Sequence, residues 1–223
     1  DTTAVALAAA LGARECEIYT DVEGVYTADP RVVHEARKLK DISYEEMLEL
    51  ASEGAGVMHP RAVELGEYYD IPILVASSLV DAPGTLITKG VKMEARNKVR
   101  GIAHDTNVAK VTIIGVPDRP GIAATIFEPL AKAAISVDTI VQNASNDKIT
   151  DLTFTVARTD LAKATQVIAP ALRQIGAKGM TTDNKLAKVS EVGTGMQNTP
   201  VYASLMFRTL FDAGINIELI TTS

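Results

Sequence analysis

Residues 110–115 read KVTIIG, and residues 188–193 read KVSEVG, 78 positions further along the chain. The segments AISVD (134–138) and GINIE (214–218) match at an offset of 80. Three further pairs match at that second offset, namely Pro120 with Pro200, Phe127 with Phe207, and Leu130 with Leu210. A repeat of this length with matched apolar positions indicates two copies of one structural module.

Each copy is predicted to run strand, loop, helix, strand. The first copy continues with a predicted strand at 151–156, a helix across 160–175 and a further strand near 187–192. This order is βαββαβ, a ferredoxin-like module, and the second copy is truncated after its second strand. We therefore assign residues 109–186 to the first module and residues 187–223 to the second.

The region before the repeat predicts a different fold. Within residues 1–88, helical patterns alternate with short apolar strands, which is typical of a layered α/β domain with a mainly parallel sheet. The helices are predicted at 3–11, from Ser43 and at 60–69, and the strands at 17–20, 71–75 and 85–88. Residues 89–100 are basic, polar and free of aromatic residues, so we interpret 89–108 as a solvated linker.

The composition excludes several classes of protein. With 47% hydrophobic residues the chain can bury a sizeable core, and its net charge of −6 lacks the basic excess that nucleic acid requires. Residues 1–100 carry 11 basic and 17 acidic side chains, whereas residues 101–223 carry 11 of each, which indicates two parts of different character. No run of 18 apolar residues occurs, so no membrane association is predicted.

The single cysteine, Cys16, excludes an internal disulfide, and three histidines with one cysteine make no zinc pattern, so no metal site is predicted. A chain without disulfides fits a cytoplasmic protein. The chain starts at Asp1 without an initiator Met and stops at Ser223 after an apolar, strand-like run. We therefore expect it to be an internal piece of a longer protein.

The segment TDVEGVYTADPR, residues 20–31, is the most specific candidate for chemistry. It follows a predicted strand, and open α/β sheets bind ligands at the carboxyl ends of their strands. Tyr26 offers a flat face for a base or ribose, and Arg31 can address a phosphate. The residues alone leave a second interpretation open, a structural turn with Asp29-Pro30 at its corner, because no Walker-type lysine loop is present.

This segment resembles the nucleotide-binding loop of the amino-acid kinase superfamily. Asp1-Thr2 followed by AVALAAALGA resembles the region after the superfamily's glycine-rich substrate loop, and EGAGVMHP (53–60) resembles the segment that closes on the nucleotide. The tandem copies, with PDRPG at 117–121, resemble ACT domains. Paired ACT domains behind this kinase region resemble the aspartate kinase family over the whole chain.

The resemblance implies an α/β fold, namely the C-terminal part of an amino-acid kinase-type αβα sandwich followed by ferredoxin-like ACT domains. It implies transfer of the ATP γ-phosphoryl group to L-aspartate, giving 4-phospho-L-aspartate, with ATP bound as its Mg²⁺ complex. Many relatives carry lysine where this chain has Gly56, which leaves only a backbone N–H there. The implied nucleotide contacts are Thr20, Asp21, Tyr26, Arg31, Gly56 and Val57, and Asp1 is implied as a catalytic-site residue.

The ACT resemblance implies feedback by an amino acid, lysine or threonine, as expected for the first step of lysine, threonine and methionine biosynthesis. The implied effector contacts are Asp118, Ala123, Ser136, Val137, Asp138 and Gln142 in the first copy, and Ala203, Ser204, Asn216, Ile217 and Ser223 in the second. The second copy departs from relatives by carrying Val201-Tyr202 where Gly-Val is frequent. ACT modules pair edge to edge, so a homodimer or higher oligomer is implied; the alternative is a module that only dimerises, with Asp118 capping its helix.

Two other functions stay open at this point: a non-catalytic amino-acid-sensing module, and another kinase of the superfamily. A stand-alone sensor has no need for residues 20–31, and the paired ACT copies disfavour other kinases. The superfamily's lysine-bearing N-terminal loop and its aspartate-binding residues would lie upstream of Asp1. The isolated chain is therefore expected to be inactive.

Overall fold

The computed structural model describes four stretches of the chain, which are residues 1–89, 99–143, 148–194 and 201–222. They divide into two compact units. The first unit consists of Asp1–His104 with Val189–Leu219, and the second is built around Asp105–Lys188. Within the described stretches, no helix is both long and apolar enough to cross a bilayer.

The first unit begins with helices and strands in alternation. In chain order its elements are α1 (Thr2–Ala10), β1 (Cys16–Thr20), β2 (Asp41–Ile42), α2 (Tyr44–Ser52), α3 (Pro60–Tyr69), β3 (Ile73–Ser77), β4 (Thr85–Ile87) and β5 (Gly101–Asp105). Among described residues, four strands form one sheet in the order β1-β3-β4-β2. The β1–β3 and β2–β4 pairings are parallel and the β3–β4 pairing is antiparallel, so the sheet is mainly parallel, as the sequence predicted.

Local signals in the sequence explain where two helices begin. Ser43 and Glu46 form a capping box on α2, in which the Ser43 hydroxyl accepts from the Glu46 N–H at 3.2 Å. At α3, Nδ1 of His59 accepts from the Arg61 N–H at 3.1 Å and Pro60 occupies the first turn. The sequence favoured His59 as a helix-start residue over a general base, and this contact agrees with that interpretation.

Strands β1 and β3 contribute buried side chains to the first unit's core. Cys16 pairs in register with Ile73, and its N–H donates to the Pro72 carbonyl at 2.8 Å. The Cys16 side chain is buried, and burial raises the pKa of its thiol. Ile73 and Val75 are completely buried, so the β3 side of this pairing belongs to the core.

The Tyr44 side chain, at the start of α2, carries a cost in the fold. It is 2% exposed, its hydroxyl has no hydrogen-bond partner among the described residues, and burial raises its pKa to about 12. Burying an unpaired hydroxyl costs about 1–3 kcal/mol. We therefore expect Tyr44→Phe to raise the free energy of unfolding by about 1 kcal/mol in a urea titration. Tyr69→Phe, at a half-exposed tyrosine, is the matched control, and a destabilised Tyr44→Phe protein would contradict the expectation.

The second unit is a complete ferredoxin-like module. Its elements are β6 (Val108–Pro117), α4 (Ile122–Lys132), β7 (Val137–Gln142), β8 (Ile149–Ala157), α5 (Leu161–Ile175) and β9 (Gly179–Asp183). Within the described residues its sheet has the order β7-β8-β6-β9, with antiparallel pairing throughout. The strand β7 therefore lies at an edge. Apolar side chains of α4 and α5 cover one face of the sheet, with Ile126, Phe154 and Ile168 fully buried.

Three predictions about strands were wrong. The module's last strand is β9, whereas the predicted strand near 187–192 is β10 (Lys188–Val192), which pairs with β5 in a separate two-stranded sheet. Strand β5 itself lies inside the segment interpreted as a linker. The second copy continues with α6 (Val201–Asp212), but residues 214–218 form no strand. None of the described residues of α6 is buried, so the described part of this copy lacks the packed core that would favour a strand at 214–218.

Candidate functional site

The segment 20–31 begins at the carboxyl end of β1. Thr20 is level with Ser77 of the parallel strand β3, and the Thr20 carbonyl accepts from the N–H of Ser78 at 2.8 Å and from its hydroxyl at 3.0 Å. The Thr20 hydroxyl donates to Oδ1 of the exposed Asp21 at 3.0 Å. Two parallel strands thus present hydroxyl and carboxylate groups at one edge, where open α/β sheets bind ligands.

The middle of the segment is held against the sheet by Thr85 of β4. The Thr85 hydroxyl accepts from the Val25 N–H at 2.9 Å and donates to the Leu39 carbonyl at 2.6 Å. Tyr26 forms an isolated antiparallel bridge to Lys38 and is half-buried, so part of its ring faces solvent. These contacts fix the backbone on both sides of Tyr26, which makes the segment an ordered loop.

The end of the segment presents Arg31 to solvent in a fixed orientation. Its guanidinium donates to both carboxylate oxygens of Asp29, with Nε–Oδ1 at 3.0 Å and Nη2–Oδ2 at 2.9 Å. The side chain is 88% exposed. Hydrogen bonds from Arg31 hold the pKa of the Asp29 carboxyl below its ordinary value. The Asp29 carboxylate compensates this charge, and a phosphate could bind Arg31 through the guanidinium donors that Asp29 leaves unused.

The segment 53–60 contributes an exposed turn beside Asp1. Gly56 is exposed with no positive φ, and a Cβ added there would meet nothing within 4 Å. Val57 is half-buried and packs against the first unit's core. Asp1 Oδ2 accepts from the His59 N–H at 3.2 Å, across 58 positions of sequence. The structure therefore brings Asp1 to the turn that carries Gly56 and Val57.

In the second unit, the residues implied for an effector separate along the sheet. Val137, at the start of β7, is level with Val156 of β8. The Asp118 N–H donates to the carbonyl of Lys148, which lies eight positions before Val156 in the chain. At the rise of a strand, eight residues span about 26 Å. Gln142 lies between the two ends, level with Leu152. One module therefore does not bring Ser136–Asp138 to Asp118.

The N-terminus of helix α4, which follows Asp118, has no side-chain cap. The N-cap residue is Gly121, in the left-handed region, with no side-chain cap hydrogen bond, so Asp118 is not its cap. Ala123 lies exposed in the first turn of this helix. At the far end, the Asp138 carboxylate accepts from Nζ of Lys188 at 2.7 Å. The free N–H groups at the start of α4 can receive the carboxylate of an amino acid, and the Asp118 carboxylate can receive its ammonium group.

The corresponding residues of the second copy are less organised. Ala203 and Ser204 are exposed in the first turn of α6, and Nδ2 of Asn216 donates to Oε1 of Glu218 at 2.9 Å. Ile217 is half-buried outside any strand, and Ser223 lies outside the described residues. The described part of this copy does not form a second cleft.

Sequence reasoning missed the residues that support the loop. Thr85 and Ser78 contact it across 60 and 58 positions, and neither carries a local signal for that role. Arg100 was assigned to the linker, although it is 6% exposed and lies 3.2 Å from the Glu46 carboxylate. The segment GIA (101–103), directly after this arginine, is the signal in the sequence that could have indicated a strand there.

Comparison with known families agrees with this division of the chain. The family model described as amino acid kinase family matches residues 1–77. The ACT domain model matches residues 111–172 and again residues 189–223.

Individual relatives match along the whole chain. The aspartate kinase of Pseudomonas putida is 50% identical over 224 residues, covering 100% of this chain and 54% of the relative, so the chain spans about half its length. The structure of Escherichia coli aspartokinase III with aspartate and ADP aligns with 100% of this chain and with 49% of its own chain, at a TM-score of 0.81 and 29% identity. The same enzyme solved with lysine and aspartate gives a TM-score of 0.73 at 30% identity, over the whole chain and 48% of its own.

A shorter structure covers just over half of the chain. The ligand-free regulatory subunit of aspartate kinase from Thermus thermophilus is 38% identical, with a TM-score of 0.54, over 57% of this chain and 83% of its own. With an amino-acid kinase segment, an ACT repeat and relatives of one kind over its whole length, the chain belongs to the aspartate kinase family.

Proposed function

We propose that the protein carrying this chain phosphorylates L-aspartate with ATP, giving 4-phospho-L-aspartate, and that this chain supplies part of its nucleotide site. The observation that carries the proposal is the ordered loop 20–31, which ends in an exposed arginine fixed by Asp29. A partly similar enzyme, E. coli aspartokinase III, is described in complex with aspartate and ADP, which supports the same ligands here.

The roles of the chain's residues follow from their positions. The half-buried Tyr26 would contact the base or ribose with the accessible part of its ring, and the exposed Arg31 would bind phosphate through donors that Asp29 leaves unused. Thr20 and Asp21 hold polar groups at the end of β1, and the turn at Gly56 and Val57 offers backbone N–H groups. Phosphoryl transfer depends mainly on such positioning and charge neutralisation, with Mg²⁺ entering as part of the MgATP substrate. Asp1 belongs to the catalytic site in this proposal, because its carboxylate accepts from His59 beside the turn that would bind the nucleotide.

We also propose that the second unit senses an amino-acid product, lysine or threonine. Asp118, Ala123 and the uncapped start of α4 receive the amino acid's charged groups. Ser136, Val137 and Asp138 lie too far along β7 to join them within one module, so we propose that a partner copy supplies them. The homodimer that we propose pairs two β7 edges antiparallel, which would place the start of one strand beside Gln142 of the other.

The full-length protein provides the test. Acyl phosphate, trapped as its hydroxamate, should form only with ATP and aspartate together, and titration with lysine and with threonine should lower the rate for one or both. A protein that binds the amino acids but forms no acyl phosphate would be a sensor without catalysis. Phosphorylation of a different acceptor would assign it to another kinase of the superfamily.

Arg31→Ala in the full-length protein should weaken use of ATP by about ten- to hundredfold, the scale of one charge-assisted hydrogen bond to phosphate. The side chain is largely exposed, so its loss leaves folding unchanged. The measurement is the Michaelis constant for ATP. Arg61→Ala, which removes another exposed and ion-paired arginine of the same unit, is the control. Equal Michaelis constants in all three proteins would remove Arg31 from the site.

A further inference from the structure

Arg100 and Glu46 form a buried ion pair in the first unit. Nε of Arg100 lies 3.2 Å from Oε2 of Glu46, and the two side chains are 6% and 2% exposed. The Nη2 group of Arg100 also donates to the backbone carbonyl of Asp41 and lies 3.4 Å from its carboxylate. Two charges removed from water at this depth hold each other in place, because separating them would leave an uncompensated charge.

Glu46 is at the same time part of the start of α2. Its Oε2 accepts from the Ser43 N–H at 3.4 Å, and its Oε1 accepts from the Thr194 hydroxyl at 3.1 Å. The carboxylate thus joins three separate segments: the cap of α2, the strand that begins after Arg100, and the segment after β10. Because the carboxylate is charged, its hydrogen bonds to these segments are stronger than bonds between neutral groups.

Strand β5, which starts directly after Arg100, is bonded to the nucleotide loop. The Ile102 N–H donates to the Thr27 carbonyl at 2.8 Å. Gly101 packs so closely that a Cβ there would lie 3.3 Å from the same Thr27 oxygen and 3.2 Å from Cδ2 of Leu50. Thr27 lies next to Tyr26 and four residues before Arg31. A shift of β5 therefore shifts the part of the loop that carries both of these side chains.

On its other side, this segment is bonded to the second ACT copy. The Arg100 N–H donates to the Val192 carbonyl at 2.7 Å, and β5 pairs with β10, the first strand of that copy. The Ser190 hydroxyl of β10 donates to the Glu53 carboxylate at the end of α2. Glu53 precedes the turn with Gly56 and Val57. Strand β10 therefore contacts the end of α2 through Ser190, and the segment that follows β10 contacts the first turn of α2 through Thr194.

We infer that Arg100 is a positioning residue for nucleotide binding, and that its ion pair with Glu46 couples the first strand of the second ACT copy to the loop 20–31. The inference rests on the proposed function, since it needs that loop to bind a nucleotide. Arg100 touches no nucleotide itself. Arg100 holds the start of β5, and β5 holds Thr27 through the Ile102 hydrogen bond. The Glu46 carboxylate of the same ion pair holds Thr194, in the segment after β10.

The test measures the dissociation constant of ADP with the full-length protein by calorimetry. Arg100→Met should weaken ADP binding by about tenfold, the scale of coupling through residues that contact no ligand. At saturating ATP the turnover should change less than the Michaelis constant, because the loop is displaced and the reacting groups are not. Arg100→Lys, which keeps the charge, should recover part of the affinity. Glu46→Gln should weaken binding to a similar extent, and the double variant should be no worse than either single one.

Thr194→Val is the variant expected to disturb folding least, since it removes one hydroxyl from a half-buried position. It should weaken ADP binding by about threefold, within the range of such coupling. Arg61→Met, at an exposed ion pair of α3, is the control and should bind ADP as the wild type does. Variants that melt at lower temperature yet bind ADP with wild-type affinity would overturn the inference, because the pair would then be structural only. If the wild-type protein itself binds no ADP, the proposed function fails and takes the inference with it.

Discussion

Replacing Gly24 with alanine in the full-length protein should weaken nucleotide binding by about a hundredfold, the cost of misplacing binding groups by about 1 Å. Gly24 adopts φ +146, which L side chains rarely reach, and an added Cβ would lie 2.5 Å from the Thr85 hydroxyl and 3.1 Å from its backbone nitrogen. Thr85 cannot move aside, because it is fully buried and holds Val25 and Leu39 by hydrogen bonds. The loop must therefore lift away from β4.

The dissociation constant of ADP measures this effect. Gly179→Ala is the matched control, because a Cβ there meets nothing within 4 Å and its φ is not positive. The second unit should stay folded in both variants. Wild-type affinity in Gly24→Ala would mean that contact with Thr85 does not position the loop.

Phe154→Ala should cause the largest loss of stability, about 3–5 kcal/mol in the second unit. Phe154 is fully buried in β8, one of the two strands inside that sheet, and its ring packs edge to face on Phe127 with 5.3 Å between centroids. Truncation leaves a cavity and removes the aromatic contact, and whole domains are stable by only about 5–15 kcal/mol. Denaturant titration followed by circular dichroism measures it. Phe211→Ala, at a 70% exposed phenylalanine, should change little, and similar losses in both variants would contradict the argument.

Elements with strong local signals could be predicted from the sequence. The helix at 60–69 was predicted with its observed bounds, because Pro60 and His59 start it and Asp70 ends it in the left-handed region. Strand β8 was found because its apolar residues alternate. Strand β9 reads GMTTD, a half-exposed edge with no apolar alternation, so the better-patterned KVSEV was chosen in its place. Which strand joins a sheet depends on pairing, and that information is not local.

The candidate site divides in the same way. Thr20, Asp21, Tyr26 and Arg31 could be proposed because they lie in one continuous segment that resembles a family motif. Their supports could not be, since Thr85 reaches Val25 only after β3 and β4 have formed, and Arg100 lies in a basic run that is typical of a solvated linker. A charged residue becomes buried only when a distant partner such as Glu46 compensates it. No pattern near Arg100 indicates that partner.

The Cys16 thiol is buried where β1 pairs with β3, so its reactivity can report local opening of the first unit. A thiol reagent added in excess can reach the single thiol of this chain only while the strand pair is open, so the labelling rate reports how often that part of the core opens. The rate can be followed at one atom, without mutation and without a fluorophore. Saturation with a nucleotide that holds the loop after β1 should slow the labelling, since a ligand that binds only the closed form lowers the population of the open one.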